Sequence, residues 1–336
     1  MTESSDSARA LYTAYPLHDA LGWVEPIARA ALERGVGADD YLDKPERRRM
    51  ARLASRLGLI RNYRRGSRTY LGVAAHASLA RCFPRIYGNE FVLLAMDCWE
   101  PRWDAWEQQF RRARCRVACF SARQSADEMA RRIPGLETIW MPEGIDLEPF
   151  GPTPPLASRS IDVLQIGRLH QSLHEGIERP LASTGARYVH PAGGRVFGTR
   201  EELLAGLGDT KVFICYPRCD THPERAGSVE TLTLRYLEGF ASRCIVAGRA
   251  PQELIDLFGY DPVVPIDPLE DPARKLLAIL GDVEHHQSLV DRNYKMTVET
   301  ATWYTRVDQM LQRLRELGYV PAGELQETTC GRPEMG

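Results

Sequence analysis

Short apolar runs alternate with longer amphipathic ones along nearly the whole chain, and that alternation admits few architectures. In the first half, strand-like runs stand at 10–15 (ALYTAY), 69–75 (TYLGVAA), 90–96 (EFVLLAM), 115–120 (CRVACF) and 137–141 (ETIWM). Helical patterns fall near 23–34, 45–57, 102–113 and 122–133. Asp43, Pro45 and Glu46 make a helix start and Gly58 a stop. A second series has strands at 161–166 (IDVLQI), 187–190, 211–216 (KVFICY), 244–248 (CIVAG) and 262–265. Its helices are expected near 200–206, 230–241, 251–257, 270–280 and 283–316. Strands that alternate with helices predict parallel sheets and an α/β class. Between the series lies GPTPPLASRS, 151–160, whose prolines and small polar residues predict a linker. Two doubly wound, Rossmann-like domains joined there imply a ligand cleft between them, at the carboxyl ends of strands.

Charge adds a second constraint. The net charge is −2, and of the 43 basic residues 39 are Arg and 4 are Lys. Residues 1–150 sum to +3 and 151–336 to −5. The segment 44–89 holds 12 basic residues against one acid, Glu46. In its helix Met50, Leu53, Ala54 and Leu57 share one face, and Arg48, Arg49, Arg52 and Arg56 take the other sides. A solvated surface is the plain reading. The shortage of acids favours an anionic partner instead: a lipid surface, a phosphate-bearing acceptor or nucleic acid. With 43% hydrophobic and 26% charged residues, the chain is neither disordered, collagen-like nor a disulfide scaffold. No apolar run approaches the ~18 residues of a membrane span, and the start MTESSDSARA lacks the apolar core of a signal peptide. The expected compartment is the cytoplasm, although peripheral membrane contact stays open. Cys215-x3-Cys219-x2-His222 lacks a second ligand pair at zinc spacing, so no metal is expected there. Trp103, Trp106 and Phe110 lie on one helical face and are expected to pack on the sheet.

The strongest constellation is Glu230-TLTLRYL-Glu238-GFASRCIVAG. On a continuous helix from about 230, the two carboxylates stand ~80° apart. Glu230 then lies at the N-terminal rim, and Glu238 two turns deeper. A carboxylate accepts hydrogen bonds from a sugar diol, and a helix N-terminus suits a phosphate.

This pattern resembles the retaining GT-B-fold nucleotide-sugar glycosyltransferases of the group-1 (family four) superfamily. Their hallmark is Glu-x7-Glu followed by Ala/Gly-rich residues and a short apolar strand. Five further segments are similar to the family in the same order. They are Leu21-Gly22 with WVEPIARAALERG, CFSARQSADEMARRI (119–133), MPEGIDLEPF (141–150), IDVLQIGRLH (161–170) and TWYTRVDQMLQRL (302–314). The resemblance implies an N-terminal acceptor domain over 1–150, a linker over 151–160 and a nucleotide-sugar donor domain over 161–290. A C-terminal helix over 291–318 would cross back to the N-terminal domain, leaving a polar tail over 319–336.

The implied activity is transfer of a sugar from a UDP-, GDP- or dTDP-sugar to an acceptor hydroxyl, with retention and without metal or other cofactor. By the same resemblance Glu238 binds the ribose and Glu230 touches the transferred sugar. Arg168 offsets the diphosphate, while Gly22, Gly167, Gly227, Ser228 and Thr231 lie along the donor. His76 and Asp97 follow strands and are candidates to position or deprotonate the acceptor. Two departures stand out. The family's Lys after Gly-Arg is replaced by LHQSLHEGIE, with His170 and His174, leaving Arg179 or Arg195 as substitutes. The Gly-rich turn after the first Glu is replaced by Thr231-Leu232-Thr233, after the long loop 217–229. The alternatives are an enzyme that glycosylates a DNA base, a nucleotide-sugar epimerase, and a basic surface-binding protein that keeps the fold without chemistry.

Overall fold

A computed structural model of the chain describes residues 9–13, 24–38, 45–61, 68–75, 77–79, 82 and 85–323. It divides into two compact units, residues 1–142 with 303–336, and residues 143–302. The first unit runs β1 (Arg9–Thr13), α1 (Val24–Glu33), α2 (Pro45–Arg56), β2 (Thr69–Ala75), β3 (Glu90–Met96), α3 (Trp103–Ala113), β4 (Val117–Phe120), α4 (Arg123–Arg132) and β5 (Glu137–Trp140). The second runs β6 (Ile161–Leu164), α5 (Gln171–Ser183), β7 (Tyr188–Val189), α6 (Arg200–Gly208) and β8 (Thr210–Cys215). It continues with the single turns α7 (Arg218–Thr221) and α8 (Pro223–Ala226), then α9 (Leu234–Ala241), β9 (Ile245–Gly248), α10 (Gln252–Phe258), β10 (Val264–Pro265), α11 (Pro272–Gly281) and α12 (Gln287–Thr300). α13 (Trp303–Glu316) and β11 (Tyr319–Pro321) rejoin the first unit.

The first sheet has the order β11-β1-β2-β3-β4-β5, parallel throughout. Its central strands are buried on both sides, so each alternates between two cores. Leu71, Val73, Val92 and Leu94 face Ile27, Ala31, Val307 and Leu311 of α1 and α13. Tyr70, Ala74, Phe91 and Leu93 face Trp106, Phe110, Ala126 and Met129 of α3 and α4. The tryptophan face of α3 is therefore packing: Trp106 is fully buried and stacks on Phe110 at 5.5 Å between ring centres. α2 reverses the expectation for its apolar face. Ala51 is buried and Ala54 packs on the core, while Met50, Leu53 and Leu57 point outward.

The second sheet has the order β10-β9-β8-β6-β7, again parallel. Its two cores gather Leu164, Phe213, Leu237, Phe240 and Leu254 on one face, and Val163, Leu173, Ile177, Val212 and Leu276 on the other.

Three expectations about organisation are corrected. The boundary falls at 142/143, and 151–160 is no free linker. Arg159, 3% exposed, pins that segment to the second unit. Its guanidinium donates to the carbonyls of Pro154, Thr210 and Ser242 and to Thr153 Oγ1. The long helix expected over 283–316 is broken at Ala301–Thr302 into α12 and α13, one in each unit, and the Ala301 carbonyl accepts from Ile145 N at 2.9 Å. The polar tail begins as a strand, because Tyr319–Pro321 pairs with β1; residues 324–336 lie outside the described residues. α5 was not anticipated at all. Leu173, Ile177 and Leu181 recur at four-residue spacing, but Gly176 and Pro180 disguise the helix.

Candidate active site

The second sheet has one place where strand order reverses, between β6 and its neighbour β8. In open α/β sheets ligands bind at the carboxyl end of that point. The chain leaves β6 through buried Gln165 into Gly167, whose φ of +76° suits glycine, and then Arg168. It leaves β8 through Tyr216 and Pro217 into Arg218 at the start of α7.

These turns gather positive charge. Burial first, then Arg218 and Arg235, hold the Arg168 guanidinium below its ordinary value, against Tyr236 and Glu143. Its Nε is buried with no hydrogen-bond partner among the described residues. His222 senses the same field. Burial holds it below its ordinary value, with Glu224 opposing and Arg168, Arg225 and Arg218 adding to the effect. His222 Nδ1 likewise has no partner among the described residues. An arginine cluster around a buried, unpartnered N–H is an electrostatic arrangement that an anion relieves.

α9 closes the other side. It begins at Leu234, so Glu230 is not on it and the expected helical pair does not form. The extended residues 230–233 are held by α10, where Thr231 Oγ1 donates to Glu253 Oε1 at 2.5 Å and Leu232 N donates to the same oxygen. The Glu230 carboxylate pairs instead with Arg249, just past β9. Arg249 also holds Asp220 of α7 through Nε and Nη2 at 2.6 and 2.8 Å. Glu238 does lie on α9. Its side chain is 12% exposed, and burial raises its carboxyl despite the pull of Arg235 at 2.5 Å. The first free amide of α9, Leu234 N, donates to Glu143 Oε2 at 2.7 Å. Gly227 closes α8 with φ +61° and ψ −136°, a conformation reserved for glycine, and Ser228 beside it is exposed.

The turn after Arg168 carries His170 rather than a lysine. His170 caps α5, leans on Tyr216 with ring centres 4.6 Å apart, and burial holds its ring below the ordinary value against the pull of Asp220. Arg179 and Arg195 are exposed, and the cations acting on Arg168 are Arg218 and Arg235. A cavity of about 450 Å³ is lined by His170, Tyr216, Asp220, Gly248, Arg249 and Ile266 among others. Sequence reasoning missed Glu143, Arg218, Arg235 and Arg249. Glu143 could have been found, since it sits in the MPEG segment that carries part of the resemblance. Cys215 is 4% exposed within β8, and burial pushes its thiol well above the usual range.

In the first unit, Asp97 follows β3 in the left-handed region, φ +57°, and accepts from Trp99 Nε1 at 3.1 Å. His76 and Gly22 lie outside the described residues.

The fold is GT-B. HepE from Anabaena in complex with UDP-glucose aligns with a TM-score of 0.56 at 10% identity, over 92% of this chain and 100% of that one. A glycosyltransferase from Rickettsia africae aligns at 0.52 and 8% identity, over 92% and 98%. Sucrose-phosphate synthase from Thermosynechococcus elongatus aligns at 0.51 and 14%, over 74% and 73%. No family model and no curated protein matches the sequence.

Proposed function

We propose that the chain is a glycosyltransferase that takes its sugar from a nucleoside diphosphate, UDP first among the candidates, and transfers it to an acceptor hydroxyl with retention and without metal. The observation that carries this reading is the Arg168, Arg218 and Arg235 cluster at the β6/β8 switch point, with the Arg168 Nε buried and unpartnered. A diphosphate leaving group gains charge as the glycosidic bond breaks, so fixed guanidinium groups stabilise the transition state more than the ground state. Glu238 accepts the ribose hydroxyls and Gly167 admits the phosphates. In a front-face mechanism the departing phosphate oxygen takes the acceptor proton. The Arg249 bridge to Asp220 and Glu230 orders the loop 217–229 and presents Glu230 toward the sugar. Acceptor recognition is assigned to the first unit, with Asp97 and His76 as its candidate polar groups. The fold neighbours named above include a UDP-glucose complex of HepE, and the DNA-base, epimerase and non-catalytic readings draw no support from them. The test is a thermal-shift panel of UDP-, GDP- and dTDP-sugars. At ~100 times Kd the expected rise is about 3 °C or more for at least one donor. No rise with any of them sinks the reading.

The basic segment is the second part of the proposal. Met50, Leu53, Leu57 and Leu59 are 58, 59, 62 and 51% exposed, beside exposed Arg49, Arg56 and Arg61. Leucines have no use against phosphates alone, whereas an anionic bilayer accommodates both groups. No helix among the described residues is long and apolar enough to cross a membrane. The protein is expected to sediment with phosphatidylglycerol vesicles and far less with phosphatidylcholine. Replacing Met50, Leu53 and Leu57 together by Ser should reduce binding about tenfold or more. Undiminished binding by that variant removes the apolar contribution, and salt-sensitive DNA retention in place of vesicle binding points to nucleic acid.

A further inference from the structure

Away from the arginine cluster, at the β7 edge of the second sheet, two imidazoles and a carboxylate converge. His174 and Glu178 are one turn apart on α5 and so share a face. β7 brings His190 against them, with the His174 and His190 ring centres 4.5 Å apart. Glu178 faces both rings with separate oxygens. Oε2 is 3.7 Å from His174 Nε2, and Oε1 is 3.6 Å from His190 Nε2. Such contacts are too long for hydrogen bonds. They are close to the ~3.4 Å ligand-to-ligand edge of a tetrahedron with bonds of ~2.0–2.2 Å. All three ligand atoms lie within 4.8 Å of one another.

One further contact prepares a ligand, and one must be broken. His174 Nδ1 is 3.4 Å from the Tyr188 hydroxyl, which donates its own proton to Gln165 Oε1 at 3.0 Å. The phenol oxygen therefore accepts from Nδ1–H, leaving Nε2 with a bare lone pair toward Glu178. His190 Nδ1 accepts from the Ala192 amide at 3.4 Å, so zinc at Nε2 must move the ring proton to Nδ1 and break that bond.

We propose that His174, Glu178 and His190 form a zinc site with a fourth position open to water. Two imidazoles and one carboxylate are a donor set that zinc accepts. The Tyr188 relay continues through Gln165, whose Nε2 donates to the Arg168 carbonyl at 3.4 Å. A metal at this edge therefore braces the turn that carries Arg168. The site itself rests on its own geometry and not on the donor-binding reading.

The test uses the full chain without nucleotide. After dialysis against a chelator, zinc is titrated and bound metal is measured by mass spectrometry. A single zinc per chain is expected, and cobalt in its place gives the visible bands of a four- or five-coordinate ion. His190→Ala and Glu178→Gln should each weaken binding at least tenfold, and Tyr188→Phe about tenfold. Glu178 is exposed and His190 half-exposed, so these variants are expected to keep the far-ultraviolet circular dichroism of the parent. Cys219→Ser is expected to change nothing, which excludes that half-buried thiol as the ligand. Absence of bound zinc, or equal affinity in the His190→Ala and Glu178→Gln variants, overturns the site whether or not a nucleotide-sugar binds.

Discussion

Arg168→Ala is expected to weaken UDP-sugar binding about 100-fold while leaving the free protein at least as stable as the parent. Both halves follow from one geometry. In the free protein Arg168 is half-buried near Arg218 and Arg235, its Nε has no partner among the described residues, and burial with those two cations lowers its affinity for a proton. Removing it relieves repulsion and exposes no broken side-chain hydrogen bond. With a diphosphate in place, the same group makes charge-assisted hydrogen bonds from its buried Nε, and truncating such a partner costs ~2–5 kcal/mol. Calorimetric titration against thermal melting of the free protein separates the two effects. Arg168→Lys should recover little, because an ammonium lacks the planar pair of donors. Loss of stability in Arg168→Ala together with an unchanged Kd would falsify the anion-site assignment and make Arg168 a structural residue.

The largest effect on folding is expected at Gly248, where β9 ends. A Cβ there falls 2.1 Å from the Cys215 carbonyl oxygen and 3.0 Å from Tyr216 Cε2, and the backbone has φ +132°. Neither neighbour can retreat, since Arg249 N donates to that same carbonyl at 3.1 Å and Ile266 N donates to the Gly248 carbonyl at 2.9 Å. Gly248→Ala must therefore part β8 from β9 beside the candidate site, at a cost of ~4 kcal/mol or more. Gly259→Ala is the control. Its φ is +73° but nothing lies within 4 Å of the added atom, so only the ~1–2 kcal/mol of the left-handed backbone is lost. Denaturant midpoints compare the two, and equal losses would show that the close strand approach is not the cause.

Much of the fold was legible because its strands are short apolar runs bounded by turn residues. TYLGVAA and EFVLLAM coincide with β2 and β3, residue for residue. α5 was not legible, because Gly176 and Pro180 sit within its apolar repeat and local propensity speaks against it. The site divides in the same way. Gly167 and Arg168 were readable, since a glycine after a strand marks a close turn. Arg218, Arg235 and Arg249 were not, since they come from three separate segments and each reads alone as an ordinary surface charge.

By itself the sequence determined the alternation of elements, and with it two parallel sheets, because burying apolar strands between amphipathic helices has few solutions. It also determined that 44–89 is basic and nearly without acids. Only the tertiary structure decided where those features act. Packing α2 through Ala51 turned its leucines outward, and starting α9 at Leu234 moved Glu230 from a helix rim to Arg249. Four bonds from Arg159 made the Pro-rich stretch part of the second unit. The physical reason is common to all three. Periodicity is a local property of the chain, whereas the face that is buried and the partner that a charge meets depend on residues tens of positions away.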